Sequence, residues 1–118
     1  MKYLFFLYLD EIAGAAISPE AMAGYMSEMD AYLGALNQAG VSFITEGLHP
    51  TSAATTVRTH NGKKVITHGP FAETKEQIGG FFLIDVPNLD EAIEWAARCP
   101  ASGWGTIEIR PVADRQRG

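Results

Sequence analysis

A single cysteine, Cys99, in 118 residues excludes an internal disulfide and the disulfide-dense secreted scaffolds, so a reducing compartment is expected. Positive charge is also scarce. Nine Lys and Arg against fourteen Asp and Glu give a formal charge of -5. Nine scattered cations form no stripe for a phosphate backbone, and nucleic acid is not expected as a partner. No apolar stretch reaches the roughly 20 residues of a membrane helix. No glycine-rich phosphate loop exists, because Gly79-Gly80 runs into a strand-like segment instead of opening a helix. His49, His60 and His68 lack close ligand spacing, so no metal and no cofactor is expected. The start imitates a leader, with Lys2, apolar Tyr3 to Leu9 and a mock cleavage site at Ala13-Gly14-Ala15. Asp10 and Glu11 interrupt it, and the apolar run is at the minimum for such a segment; the cytoplasm is the expected location.

What is present reads as one α+β domain over residues 1–113, followed by a tail, 114–118, that has nothing to bury and is expected to fray. Lys2 to Leu9 is apolar on both alternating faces, the mark of a strand covered on both. Ser18, Pro19 and Glu20 announce a helix as N-cap, first helical residue and first-turn acid, and Gly40 stops it. Its stripe runs from Met22 and Tyr25 to Leu33 and Leu36. Val41 to Leu48 is a second strand that carries Glu46 in an apolar row. Asn61-Gly62 joins Ala54 to His60 and Lys63 to His68 as a hairpin, because both turn residues tolerate positive φ; counting outward sets His60 against Lys63, Val57 against Ile66 and Thr55 against His68. Gly79 to Val86 is the next strand. Asn88 with Glu91 caps a helix over Leu89 to Arg98, with Leu89, Ile93 and Ala96 as its buried stripe. Thr106 to Val112 closes the fold with Ile107 and Ile109 inward.

The order β-α-β, hairpin, β-α-β is that of a ferredoxin-like antiparallel sheet with an inserted ribbon at 54–68. Two helices cover only one face of such a sheet. A second copy covers the other most simply, as a homodimer whose sheets face each other in a barrel.

The stretch from His68 to Phe82 is the natural place for a pocket wall, since it packs a proline turn, four ionisable side chains and a glycine pair between two strands. His68 supplies an imidazole, the side chain best suited to moving protons, and Glu46 projects from a strand; both are candidate proton carriers. Lys75, Glu76, Glu73 and Arg110 are candidate binders of a small oxygen-rich ligand. Plainer roles compete: Thr74 with Gln77 forms a capping box for one helical turn, Glu73 or Glu76 pairs with Lys75, and Glu108 pairs with Arg110. Two readings follow. One is a lyase or isomerase that moves a proton without a cofactor; the other is a non-catalytic module that senses a metabolite or docks on a protein partner.

On Ala54-Thr55-Thr56-Val57-Arg58, Gly69-Pro70-Phe71-Ala72-Glu73-Thr74-Lys75-Glu76-Gln77, Gly79-Gly80-Phe81, Asp90-Glu91-Ala92 and Glu108-Ile109-Arg110-Pro111-Val112, the chain resembles the YCII-related family in its DGPF-domain branch. The resemblance covers nearly the whole chain and implies a dimeric α/β barrel related to those of muconolactone-isomerase type. One branch of the family includes dechlorinating enzymes acting on hydroxylated aromatics. Members also lie beside sigma-factor genes, which makes sigma-factor association a candidate partnership. Two departures matter. The name-giving aspartate before Gly-Pro-Phe is His68 here, so any role of that acid is lost or passes to an imidazole. No histidine lies between Ser18 and Gln38, so the acid-base dyad of the compact branch is not carried over.

Overall fold

In chain order the elements are β1 (Lys2–Leu9), α1 (Glu11–Ala15), α2 (Pro19–Gln38), β2 (Ser42–Gly47), a 3-10 turn (Thr51–Ala53), β3 (Thr55–His60), β4 (Lys63–His68), β5 (Gln77–Asp85), α3 (Leu89–Arg98), α4 (Ala101–Trp104) and β6 (Thr106–Pro111). The structure is a computed structural model and describes residues 1–113; the expected tail, 114–118, lies outside the described residues. The four-stranded sheet has the order β2-β5-β1-β6 with every neighbour antiparallel, as a split βαβ pair requires. β3 and β4 form a separate two-stranded arm.

Local chemistry sets the boundaries. The Ser18 hydroxyl accepts from the Ala21 amide at 3.1 Å and Pro19 opens α2, while Gly40 adopts a φ of 72° beyond its end. The Asn88 side chain accepts from the Glu91 amide at 3.0 Å and starts α3. Asn61 and Gly62, at φ of 51° and 76°, turn the arm, and its register pairs His60 with Lys63, Val57 with Ile66 and Thr55 with His68 as counted from the sequence. The arm is tied at its base, where the Thr56 hydroxyl donates to the Gly69 carbonyl and the Gly69 amide donates to the Ala54 carbonyl. Beyond that base its strand residues are exposed apart from half-buried Thr56.

The core lies between one face of the sheet and the helices. Tyr3, Phe5 and Leu7 of β1 and Phe82 and Ile84 of β5 meet Tyr32 and Leu36 of α2, Ala92 and Ala96 of α3, and Cys99 and Ala101. The rings of Tyr32 and Phe82 meet edge to face at 5.5 Å, and the Tyr32 hydroxyl donates to the Trp95 carbonyl at 2.7 Å. Ile107 and Ile109 pack on this core, as expected. Gly80 is fixed by packing, because a Cβ there would come within 2.9 Å of the Glu46 carbonyl.

Three expectations change. The α2 stripe is buried only in its second half, at Tyr32 and Leu36, and Met22 at its start is 43% exposed. Of the stripe expected on α3 only Ala96 is buried, joined by Ala92; Leu89 and Ile93 are 47% and 45% exposed, and the two small side chains let the helix approach the sheet closely. Thr74 and Gln77 cap no helical turn. The Thr74 hydroxyl donates to the Glu76 carbonyl and the Gln77 amide donates to the Thr74 carbonyl, closing an irregular turn that feeds directly into β5.

Candidate functional site

Alternation along β1 puts Leu4, Phe6 and Tyr8 on the face away from the helices. Cross-strand register brings Phe81 and Leu83 of β5, Ile44 and Glu46 of β2, and Thr106, Glu108 and Arg110 of β6 to the same face. Leu4, Phe6, Phe81 and Leu83 are only half-buried there, and Ile44 is 58% exposed. The face is an apolar floor whose polar residues run mainly along one rim, its β6 edge, from Thr106 beside Tyr8 at the end of β1 to Arg110 beside Leu4 near its start, with Glu46 on the opposite edge strand.

That rim is connected. The Tyr8 hydroxyl donates to Glu108 Oε1 at 3.0 Å, and Arg110 Nε lies 4.0 Å from Glu108 Oε2, so one carboxylate bridges a phenol and a guanidinium. The Glu108 hydrogen bond is the main cause holding the Tyr8 hydroxyl above its usual range, which keeps it a donor at neutral pH. Glu76 reaches across the end of β1 to accept from the Thr106 hydroxyl at 3.0 Å, and Thr106 pairs with Tyr8 in the sheet. Below the same strand end, the Glu11 amide donates to Gln77 Oε1, and the Glu11 carboxylate accepts from the Thr51 amide at 2.7 Å and the Thr51 hydroxyl at 2.5 Å. These bonds tie α1 to the Gly69–Gln77 loop around a cleft of about 370 Å³, walled by Glu11, Thr51, Pro70, Glu73 and Thr74.

The residues singled out from the sequence therefore divide. Glu76 and Arg110 come to the same β6 rim but to opposite ends of it, since Glu76 bonds Thr106, about 13 Å along the strand from Arg110. Glu46 shares their face but sits on β2, with β5 and β1 between it and Arg110, a span of about 14 Å at the usual strand spacing. Glu73 lines the cleft on the other side of the loop. His68 and Lys75 are exposed, and no hydrogen bond or ion pair joins either side chain to that rim. Among the described residues no three His, Cys, Asp or Glu side chains gather as metal ligands. No helix there is long and apolar enough to cross a membrane.

Tyr8, Thr106, Glu11 and Thr51 escaped the reading of the sequence. Tyr8 is an aromatic in an aromatic strand, and its value emerges only when β6 is laid beside β1. Glu11 looked like a charge ending an apolar run.

Two similarities bear on this site. The YCII-related domain family matches residues 1–116. An uncharacterized protein of Rhizobium meliloti (strain 1021) is 38% identical over 115 residues, covering 96% of this chain and 93% of that protein.

Proposed function

The chain belongs to the YCII-related family, and from the open sheet face we propose that it is a cytoplasmic small-molecule-binding protein of the DGPF branch that works as a homodimer, sheet against sheet. The observation that carries this reading is the polar rim on an apolar floor. The Arg110 guanidinium, paired with Glu108, receives an anionic or enolic oxygen, and the Tyr8 hydroxyl, whose one proton goes to Glu108, holds that carboxylate in place beside it. Burial of Leu4, Phe6, Phe81 and Leu83 by a second copy removes water from the same space, which strengthens those polar contacts. Glu76, held by Thr106 near the Tyr8 end of the same edge, is the carboxylate we assign to the proton transfer, on a ligand whose acidic carbon lies towards Tyr8. Catalysis is thus an extension of binding: an isomerase- or lyase-type proton transfer that requires no cofactor. His68 and Glu46, the first candidates for that transfer, stand outside the rim.

The test is calorimetric titration with small carboxylates and enolisable 1,3-dicarbonyls, paired with sedimentation. Wild type should be dimeric at micromolar concentration and bind a member of the panel, and Arg110→Gln should weaken that binding about tenfold or more, the share of one charge-assisted hydrogen bond. A stable monomer that binds nothing in the panel overturns the reading. Glu76→Gln then separates enzyme from sensor. Loss of solvent-deuterium exchange at the ligand's acidic carbon, with affinity retained, marks catalysis; binding with no exchange even in wild type marks a sensor. Stoichiometric co-purification of a sigma factor would favour the docking alternative.

A further inference from the structure

Behind the same strand end, on the helix side, lies a second and chemically different space. Leu9, the residue after Tyr8, points away from the open face into a cavity of about 140 Å³ formed between α1, α2 and α4. Its walls are almost wholly apolar: Ile17 and Met22 beside the start of α2, Tyr25 one turn on, and Trp104 at the end of α4. The Tyr25 and Trp104 rings meet edge to face at 5.5 Å and make a rigid aromatic corner. That corner is pinned by Gly105, where a Cβ would stand 2.0 Å from the Tyr8 carbonyl, so the chain after Trp104 can lie against β1 only with glycine there.

The opposite wall is α1, which offers only Ala13 and Gly14 and buries none of its own residues; Ile12 is 86% exposed. Small residues on a thin wall leave the space unfilled. The space opens to solvent past Met22 and Trp104, which are 43% and 42% exposed, so a ring compound can enter it from the surface and bury one face against its apolar walls.

We propose that this cavity is a binding site for a small neutral ring compound carrying one oxygen acceptor, separate from the rim on the open face and independent of dimer formation. Three observations set the ligand class. A volume of about 140 Å³ accommodates one ring within the walls. Asp10 is the only charged wall residue, and its carboxylate already accepts from the Ile12 and Ala13 amides at 3.0 Å each, so its fixed negative charge repels anions and offers a cation no strong partner. The hydroxyl of half-buried Tyr25 makes no hydrogen bond within the described residues and lies where solvent reaches it, so a ligand oxygen can replace water as its acceptor. The two sites thus divide ligands by charge, with anions at Arg110 and neutral rings here.

Ligand-observed saturation-transfer NMR on the full chain, with benzyl alcohol, toluene and benzoate as probes, tests this. Benzyl alcohol and toluene should bind saturably and compete with each other, and benzoate should displace neither. Ala13→Leu fills the space from α1 and should abolish both signals; Met22→Trp fills it from α2 and serves if the first variant unfolds. Tyr25→Phe should weaken benzyl alcohol about fivefold, the worth of one neutral hydrogen bond, and leave toluene unchanged. Absence of saturable binding in wild type overturns the proposal. Binding that survives a filled cavity, or that is lost in Arg110→Gln, also overturns it, because the probe then sits elsewhere.

Discussion

The two faces of the central sheet are made by alternate residues of the same strands, yet they live in different environments. On one, Phe5, Phe82 and Ile84 are sealed beneath α2 and α3; on the other, their neighbours Leu4, Phe6, Phe81 and Leu83 stay half-exposed and Ile44 more so. Residue type does not distinguish the faces, since both are aromatic and aliphatic. What lies above them does. Apolar surface left open on a soluble sheet costs about 25 cal/mol per Å² relative to burial, so the open face is where association gains most. The rim residues Tyr8, Glu108 and Arg110 lie on that face, which places the candidate chemistry where a second copy would close over it.

Adjacent residues give the sharpest test. Phe82 contacts Tyr32 and Phe43 in the core, and Phe82→Ala should cost about 3–5 kcal/mol in urea unfolding. Phe81→Ala, one residue away on the open face, should cost less than about 1 kcal/mol when measured on the monomer. Equal losses would break the distinction between the faces. Next in size, Phe81→Lys should shift sedimentation from dimer to monomer at micromolar concentration while the unfolding midpoint of the monomer holds, because a lysine desolvated without a partner opposes association.

These contrasts were legible in the sequence only as far as local rules reach. The hairpin register followed from Asn61-Gly62, because positive φ at two adjacent residues permits one tight turn and the pairing is then arithmetic. The bounds of α2 followed from Ser18, Pro19 and Gly40. Ala96 of the α3 stripe followed, but its companion Ala92 did not, because Leu89 and Ile93 are more hydrophobic and the preference for small residues arises only when a sheet must be approached closely. Short α1 and α4 left no periodic signal. The rim and the cavity needed Glu76 beside Thr106 and Tyr25 beside Trp104, pairs set by tertiary packing across long stretches of chain. The His68–Phe82 segment was rightly read as a turn between arm and strand, but its charges fall on different sides of the loop, with Glu73 at the cleft and Glu76 at the rim.

Alkaline pH should act through the covered face. Burial is the main cause raising the pKa of the Tyr32 phenol and of the Cys99 thiol. Both folded values lie above the unfolded ones, so the neutral forms stabilise the fold fully below the unfolded pKa, and that stability is lost as pH rises towards the folded values. Thermal unfolding should therefore be flat around neutrality and decline from about pH 8.5, where unfolded cysteine ionises, more steeply above about pH 10 for tyrosine. Cys99→Ala should remove the first part of the decline, and Tyr32→Phe should shrink the second to the remainder set by Tyr8 and Tyr25, whose phenols are raised as well. A decline that begins below pH 7 in all variants would mean that other groups control it.

The smallest expected effect also separates a covering element from one that covers nothing. Asn88 and Asp10 are both N-caps with hydrogen bonds of 3.0 Å, to the Glu91 amide in one case and to the Ile12 and Ala13 amides in the other. Their helices differ in what they bury: α3 buries Ala92 and Ala96, and α1 buries no residue. A cap contributes to global stability only if its helix must unravel with the core. Asn88→Ala should thus cost about 1 kcal/mol in urea unfolding, while Asp10→Ala should cost a few tenths at most and show itself instead as faster hydrogen exchange at the Ile12 and Ala13 amides. If Asp10→Ala matched Asn88→Ala, α1 would have to be unfolding together with the core. It would then be a structural part of the fold, and the thin cavity wall inferred from its exposed residues would have to be abandoned.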